Sequence, residues 1–270
     1  MRILPFLLLF VTLPALSQTL PVRGAPVDIY DGFEGAALSP LWETSRIVPG
    51  ALTLQSAIVR SGQGAVHLTV HANDKFEAGQ HGDADSERDE LLEARVLTSR
   101  ENISYEYSWS MYLPADFPIV PVRLVVAQWK QYCDSDSGPC SDDSPILAVR
   151  YVNGVLSIVQ SFGRSEKAVL YEEKRDLRGH WLDLRFQARF TPQATGFVRA
   201  WLDGKQVVDY SGVTANAESA ATGYPTPSYY YFKMGLYRDV MPQPMTLYLD
   251  EYRKRQLPVD ARGGEQAGVA

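Results

Sequence analysis

The chain contains 270 residues, of which 45% are hydrophobic, and it carries a formal net charge of −6 at pH 7. This length allows one large domain or two small ones, with a substantial hydrophobic core. The negative charge argues against nucleic acid as a general partner, so any anionic ligand would need a local group of basic side chains.

Residues 1–17 have the pattern of a secretory signal peptide. Arg2 supplies a positive charge, an apolar run extends from Ile3 to Leu16, and the small residue Ser17 ends it. We therefore expect this segment to be cleaved and the mature protein to be secreted to the periplasm or the extracellular medium. The run is too short to span a bilayer. No later stretch approaches the roughly 20 apolar residues required, so we predict no membrane anchor.

Short alternating segments, separated by turn residues, follow along the chain. In Trp181–Phe190, apolar and polar residues alternate with the period of a half-buried strand. The dipeptide Asp203-Gly204 is typical of a tight turn between two strands. These patterns predict an all-β fold, an antiparallel sandwich or jelly roll, in one domain over residues 28–257. Residues 258–270, rich in glycine and alanine, are expected to form a disordered tail.

The first segment with candidate site residues extends from Ser86 to Val96, and a polar loop precedes it. His81 lies in a polar loop ahead of Arg88 and is a candidate second acid or base, although most loop histidines have no catalytic role. Arg88 and Glu90 alternate onto one face of a predicted strand. Such a pair is more often a surface ion pair, but here we expect Glu90 to orient Arg88 through a buried one.

The second segment, Val125–Tyr132, places Gln128 and Lys130 on one strand face after an apolar run. Cys133 and Cys140 follow in a polar loop. In an oxidising compartment we expect them to form a disulfide, and zinc is disfavoured because no histidine or further cysteine completes a site. The same loop offers oxygen ligands that suit a structural calcium ion.

The third segment, Tyr231–Asp239, has the most informative pattern. Strand alternation turns Tyr231, Lys233 and Tyr237 to one face and apolar residues to the other. One face then carries a cation between two phenols. A tyrosine can serve as an acid or base when adjacent positive charge lowers its pKa. Ordinary aromatic packing on an amphipathic strand remains the alternative interpretation.

Together the three segments resemble the signature of jelly-roll polysaccharide lyases. Arg-Asp-Glu-Leu at 88–91, Gln-Trp-Lys at 128–130 and Tyr-Phe-Lys-Met-Gly-Leu-Tyr at 231–237 are similar to R-x-E-L-R, Q-[IV]-H and Y-F-K-x-G-x-Y-x-Q of the alginate lyases, in the same order. The departures are Lys130 for histidine, Asp239 for glutamine and Leu92 for arginine. They favour the glucuronan and heparin lyase I-like group, in which a tryptophan after the glutamine and an arginine after the last tyrosine are familiar.

The resemblance implies a concanavalin-like jelly roll with a concave substrate groove. It implies that Tyr237 is the catalytic tyrosine, and it places a set of side chains in the substrate cleft: Arg88, Gln128, Lys130, Lys233, Tyr231 and Arg238. Lys130 matches the family's position but not its residue type. No cofactor is implied.

These side chains suit β-elimination of a uronic acid. The C5 proton of a uronate becomes removable when its carboxylate is neutralised, and Gln128 and Arg88 could bind that carboxylate, with Lys130 adding charge. Tyr237 could then remove the proton and return one to the leaving oxygen. We therefore predict a monomeric enzyme that acts on an anionic uronate polysaccharide, needs no metal for the reaction and leaves 4,5-unsaturated uronate ends.

Two other functional classes compete with this prediction. A noncatalytic carbohydrate-binding module would use exposed aromatic side chains, with Tyr224, Tyr229 and Tyr230 as candidates. A glycoside hydrolase would need two carboxyl groups flanking the bond. The nearest acidic group, Asp89, Glu90 and Glu93, cannot place its outer members on the same strand face as Glu90. A lectin has no use for grouped tyrosine, lysine, arginine and glutamine, so elimination is favoured.

Overall fold

The computed structural model describes residues 20, 26–75, 86–133, 145–162, 166–217 and 223–258. Within these ranges the chain forms antiparallel strands and one short 3-10 helix, Arg95–Leu97. The strands are β1 (Asp28–Asp31), β2 (Trp42–Glu43), β3 (Leu52–Gln55), β4 (Ala65–Val70), β5 (Ser86–Glu93), β6 (Ser99–Arg100), β7 (Ser104–Tyr112), β8 (Leu124–Gln131), β9 (Leu147–Val152), β10 (Val155–Phe162), β11 (Glu166–Glu173), β12 (Trp181–Arg189), β13 (Gly196–Leu202), β14 (Lys205–Gly212), β15 (Tyr229–Asp239) and β16 (Met245–Gln256). The described ranges contain no apolar helix of membrane-spanning length.

The strands form two sheets that enclose one core. The back sheet has the order β14-β13-β12-β7-β16-β4-β3, with β1 also paired to β16. The front sheet has the order β11-β10-β9-β8-β15-β5-β2, with β6 also paired to β15. Strands distant in sequence are thus neighbours in space, which is typical of a jelly roll. The predicted all-β sandwich is confirmed.

Local sequence patterns account for individual strands. In β12, the side chains of Leu182, Leu184 and Phe186 are buried while those between them are half-exposed, as the alternation predicts. Asp203 and Gly204 join β13 to β14 with positive φ angles of 47° and 78°. Two consecutive positive φ values are what a tight hairpin requires, so this turn is confirmed.

Aromatic side chains from both sheets meet in the middle of the core. The ring of Trp129 on β8 lies 4.8 Å from that of Phe232 on β15 and 4.9 Å from that of Phe186 on β12, measured between centroids. All three side chains are fully buried. Burial of such large rings contributes strongly to stability and fixes the core side of β8 and β15. Alternate residues of these strands must then face away from the core, on a surface that we call the open face of the front sheet.

An irregularity in β15 depends on a glycine. The register of β15 against β8 shifts between Met234 and Tyr237, which is the pattern of a β-bulge. Gly235 lies within the shift at φ 142°, and a Cβ atom there would come 2.5 Å from the backbone oxygen of Asp89 on β5. Only glycine combines that angle with so close an approach. The bulge therefore sets where Tyr237 meets the neighbouring strands.

Candidate active site

Three adjacent strands of the front sheet bring the three sequence segments together. Across β5, β15 and β8, the backbone register pairs Tyr237 with Arg88, Lys233 with Gln128, and Tyr231 with Lys130. Residues opposite one another in an antiparallel pair project to the same side of the sheet. These six side chains therefore share the open face, although they are drawn from positions up to 149 residues apart, the separation of Arg88 and Tyr237.

Glu90 is the centre of a buried polar cluster on this face. Lys233 Nζ donates a hydrogen bond to Glu90 Oε2 at 3.1 Å, Gln128 Nε2 donates to Glu90 Oε1, and Arg88 Nε lies 3.4 Å from Oε2. Burial alone would raise the pKa of Glu90, but the charges of Lys233 and Arg88 outweigh it and hold the pKa below its usual value. One carboxylate thus orients three donors, including the expected partner Arg88.

Lys233 has an environment in which positive charge is disfavoured. Its side chain is almost completely buried, and burial lowers its pKa. Glu90 opposes this shift, whereas the charges of Arg88 and Lys130 lower the pKa further. A buried ammonium group beside other cations is stabilised by any additional negative charge. The cluster is accordingly suited to an anionic group placed on its exposed side.

Tyr237 lies between arginines at the edge of this cluster. The guanidinium carbon of Arg88 is 4.0 Å from the centre of the tyrosine ring, and that of Arg123 is 4.6 Å from it. Burial would lower the pKa of Arg123, but hydrogen bonds to Asp239 and Tyr237 outweigh burial and raise it. Cations above an aromatic ring are attracted by its quadrupole and hold the ring in place. The half-buried phenol is therefore fixed in a positively charged setting.

A family comparison decides what class of protein carries this arrangement. The family model described as "Polysaccharide lyase" matches residues 33–253. The chain belongs to this polysaccharide lyase family. Among curated proteins, none matches the chain.

Solved structures show the fold of the lyase independently. An endo-β-1,4-glucuronan lyase from the fungus Trichoderma reesei superimposes with a TM-score of 0.67 and 16% identity, over 87% of this chain and 96% of the other. The alginate lyase AlgAT5, from polysaccharide lyase family 7, superimposes with a TM-score of 0.52 and 14% identity, over 79% and 86%. At these identities the similarity concerns the fold, and it confirms the jelly roll of the polysaccharide lyases.

Two arginines near Tyr237 were missed by sequence reasoning. Arg123 immediately precedes β8, and its guanidinium forms an ion pair with Asp239 at 2.6 Å. Arg150 lies on β9, opposite Val125 of β8. A signal for Arg150 was present, since it is the one charged residue of the otherwise apolar strand Leu147–Val152. However, the sequence does not reveal the strand order that brings Arg150 close to Tyr237.

Arg238 does not reach the open face. Its side chain is fully buried, its Nη2 lies 2.7 Å from Glu87 Oε2, and it donates hydrogen bonds to the backbone oxygens of Gln243 and Met241. Neighbouring strand residues project to opposite faces, so Arg238 points away from the side that Tyr237 occupies. This geometry corrects the expected substrate contact to a structural one.

Some predicted residues lie outside the described ranges. His81 and Cys140 are among them, as is most of the loop considered for calcium, so the histidine, the disulfide and the ion stay predictions. Within the described ranges, no group of three or more histidine, cysteine, aspartate or glutamate side chains is arranged to hold a metal ion.

The tyrosines considered for a carbohydrate-binding module are mostly buried. Tyr230 is fully buried against Phe190, with ring centres 5.0 Å apart, and Tyr224 is 4% exposed. Tyr229 stacks on Tyr132 with ring centres 4.3 Å apart. The expectation of exposed aromatics at these positions was wrong for Tyr224 and Tyr230. Tyr230 lies on the core side of β15, with Phe232 and Met234, because alternate strand residues face the same way.

A cavity of about 450 Å³ opens on the back sheet, away from the cluster. The polar side chains that line it are engaged with one another: Arg60 Nη2 lies 2.8 Å from Asp183 Oδ2, and the guanidinium of Arg185 covers the ring of Trp201 at 4.0 Å. It contains no tyrosine next to a group of cations. We therefore place the candidate active site on the open face of the front sheet.

Proposed function

We propose that this lyase is a secreted enzyme that cleaves a uronic-acid polysaccharide by β-elimination and leaves 4,5-unsaturated uronate ends. The observation that carries the proposal is the placement of Tyr237 against Arg88 at the edge of the cluster built on Glu90. Elimination needs a base near C5 and positive charge near the carboxylate, and this face supplies both.

In the proposed reaction, the uronate carboxylate binds over the Glu90 cluster. Gln128 uses one amide N–H for Glu90, and an amide has a second N–H that can donate to the substrate. Arg88 and Lys233 supply positive charge that stabilises the negative charge developing on the carboxylate as the C5 proton leaves. Lys130 and Tyr231, which are half-buried, border the same surface and contact the sugar.

Tyr237 is the proposed base. Its phenolate removes the C5 proton, the C4–O4 bond breaks as the C4=C5 double bond forms, and the phenol returns a proton to the departing oxygen. Electrons and protons balance without an external oxidant or reductant. His81 is retained as a proposed second acid or base, and Glu90 as the group that orients Arg88, Gln128 and Lys233.

We favour glucuronan or a heparin-like polymer over alginate as substrate. Lys130 occupies the position where the alginate lyase motif has histidine, and the solved structure with the TM-score of 0.67 is named as a glucuronan lyase.

We also propose how the chain is processed and organised. Residues 1–17 are a cleaved signal peptide, residues 28–257 form the catalytic domain, and residues 258–270 are a disordered tail. Cys133 and Cys140 form a disulfide, and the enzyme is a monomer.

An ultraviolet assay of the purified mature protein tests the reaction. Only elimination creates the conjugated C4=C5 double bond, so absorbance should rise with glucuronan, alginate, heparin or heparan sulfate if one of them is the substrate. New reducing ends without a rise in absorbance would instead indicate hydrolysis. Binding without either signal would favour a carbohydrate-binding module. Hydrolysis or binding alone would each contradict the proposed function.

A further inference from the structure

Arg150 is a half-buried arginine on the open face of the front sheet. It lies in the middle of β9, and its neighbours across β8 and β10 are Val125 and Ser157. Its Nε atom is buried and has no hydrogen-bond partner, and no ion pair joins it to a described carboxylate. Burial and the charge of Arg123 lower the pKa of Arg150, and the interaction with Tyr237 opposes this shift. The protein therefore holds the Nε–H of Arg150 away from water without an acceptor among the described residues.

The unpaired Nε–H of Arg150 has a free-energy cost. Burying an N–H group without an acceptor loses hydration that no hydrogen bond replaces. Most buried polar groups in native proteins do have partners, so an exception calls for an explanation such as a ligand. The neighbours of Arg150 on this face have short side chains: Ala148 and Val152, two residues away on the same strand, and Ser157 on β10. Arg150 as a whole is partly exposed, so part of its side chain is accessible to a ligand.

The position of Arg150 relates it to the candidate active site. Val125 pairs with both Tyr237 and Arg150, so the three residues lie at one level of the front sheet. Strand spacing puts the Cα atoms of Tyr237 and Arg150 about 10 Å apart. Arg88 lies at the same level on the opposite side of Tyr237. A sugar chain that crosses the strands at this level would pass Arg88, Tyr237 and Arg150 in turn.

We propose that Arg150 forms an anion-binding subsite for the sugar next to the one that is cleaved. The inference rests on the proposed function and extends it, because Arg88 and Gln128 would hold the carboxylate of the cleaved uronate while Arg150 binds the anionic group of its neighbour. A planar guanidinium suits two-point contact with a carboxylate or a sulfate. In a polyuronate that group is a carboxylate, and in a heparin-like polymer it is a sulfate on the alternating amino sugar.

The test measures KM and kcat of Arg150→Gln by the ultraviolet assay on glucuronan and on heparin. One charge-assisted contact corresponds to an increase in KM of about 10- to 100-fold, while kcat should change little because the reacting groups are intact. An effect confined to glucuronan would identify the bound group as carboxylate, and an effect confined to heparin would identify it as sulfate. On glucuronan in which part of the carboxyl groups is reduced to alcohols, the difference in KM between wild type and Arg150→Gln should be smaller.

Arg189→Gln is the matched control. Arg189 also has a buried Nε without a hydrogen-bond partner, but it lies on β12 of the back sheet, so its replacement should leave KM unchanged. Arg150→Lys keeps the charge and loses the planar fork, and we expect an intermediate KM. Should Arg150→Gln not fold, a wild-type KM for Arg150→Lys would overturn the proposal.

The outcomes separate this inference from the function on which it rests. If wild type eliminates glucuronan or heparin and Arg150→Gln has the same KM as Arg189→Gln on both, the subsite is wrong and the proposed function stands. If wild type produces no absorbance with any of the polymers, the proposed function fails, and the subsite fails with it.

Discussion

Two buried glutamate–lysine pairs lie three residues apart on β5 and have opposite surroundings. Glu93 faces the core, where its Oε2 accepts a hydrogen bond from Lys254 Nζ at 2.9 Å and its Oε1 accepts one from Tyr252. Lys254 Nζ also donates to the backbone oxygen of Leu97. One carboxylate thus meets one cation, and the remaining hydrogen-bonding groups are paired.

Glu90, on the open face, meets more positive charge than it can balance. It contacts both Lys233 and Arg88, and Lys130 lies close enough to lower the pKa of Lys233. The difference appears in the two carboxyl groups: burial raises the pKa of Glu93 despite Lys254, whereas two cations hold the pKa of Glu90 below its usual value. A balanced buried pair needs no further charge, whereas an anionic ligand would stabilise the unbalanced one.

The largest effect is expected from a variant that breaks the balanced pair of Glu93 and Lys254. Glu93→Gln removes the counter-charge of the fully buried Lys254, and loss of one partner from a buried ion pair costs about 3 to 5 kcal/mol of stability. Chemical denaturation measures this loss. Turnover per folded molecule should stay near the wild-type value, because Glu93 does not reach the open face. A variant of normal stability and low turnover would contradict this division of roles.

Tyr237→Phe tests the unbalanced region directly. It removes one hydroxyl and little volume, so folding should persist while turnover falls at least about 100-fold, the scale of general acid–base catalysis. Tyr248→Phe makes the same change on β16 of the back sheet and should leave turnover intact. His81→Ala discriminates between bases: if it abolishes elimination while Tyr237→Phe retains near wild-type activity, His81 is the base and the tyrosine mechanism is wrong.

Gln128→Ala and Arg88→Ala should reduce turnover less than loss of the base. Each removes one donor that stabilises charge growing towards the transition state, and we expect a decrease in kcat of about 10-fold or more. Gln131→Ala offers a comparison on the same strand, because Gln131 bonds to Ser228 and Asn216 away from Glu90. Equal kcat values for Gln128→Ala and Gln131→Ala would argue against a role for Gln128 in the reaction.

The most gradual expected effect concerns another acid of β5, Asp89, because it is spread over several pH units. Burial raises the pKa of Asp89 to about 8. A hydrogen bond from the Val48 backbone N–H opposes this rise, and the interaction with Asp74 adds to it. The unfolded aspartate titrates near pH 4, so between about pH 4 and 8 the folded state binds more protons and stability falls as pH rises. Asp89→Asn mimics the protonated acid and should remove this dependence.

Denaturation curves at several pH values measure the contribution of Asp89. Relative to wild type, Asp89→Asn should gain up to about 1 kcal/mol per pH unit as pH rises from 5 to 8. Parallel pH dependences for the two proteins would show that Asp89 is ionised throughout this range in the folded state.

Local patterns in the sequence were sufficient for the fold class and for most of the side chains that meet in the candidate site. Alternation over Trp181–Phe190 and the Asp203-Gly204 turn depend on neighbouring residues alone, and both are confirmed. The Tyr231–Tyr237 pattern shows which side chains share a face, because that follows from the strand period. Gly235 of that pattern was visible in the sequence. The close approach of the Asp89 backbone, which explains why a glycine is needed there, was not.

Sequence by itself thus determined the strand type, the face on which each motif residue lies and the family signature. Tertiary structure alone decided what each side chain meets. It buried Arg238 against Glu87, buried Tyr230 in the sandwich, and brought Arg123 and Arg150 towards Tyr237. The physical reason is that contacts across a jelly roll depend on strand order and register, and these are set by packing between segments that are far apart in the chain.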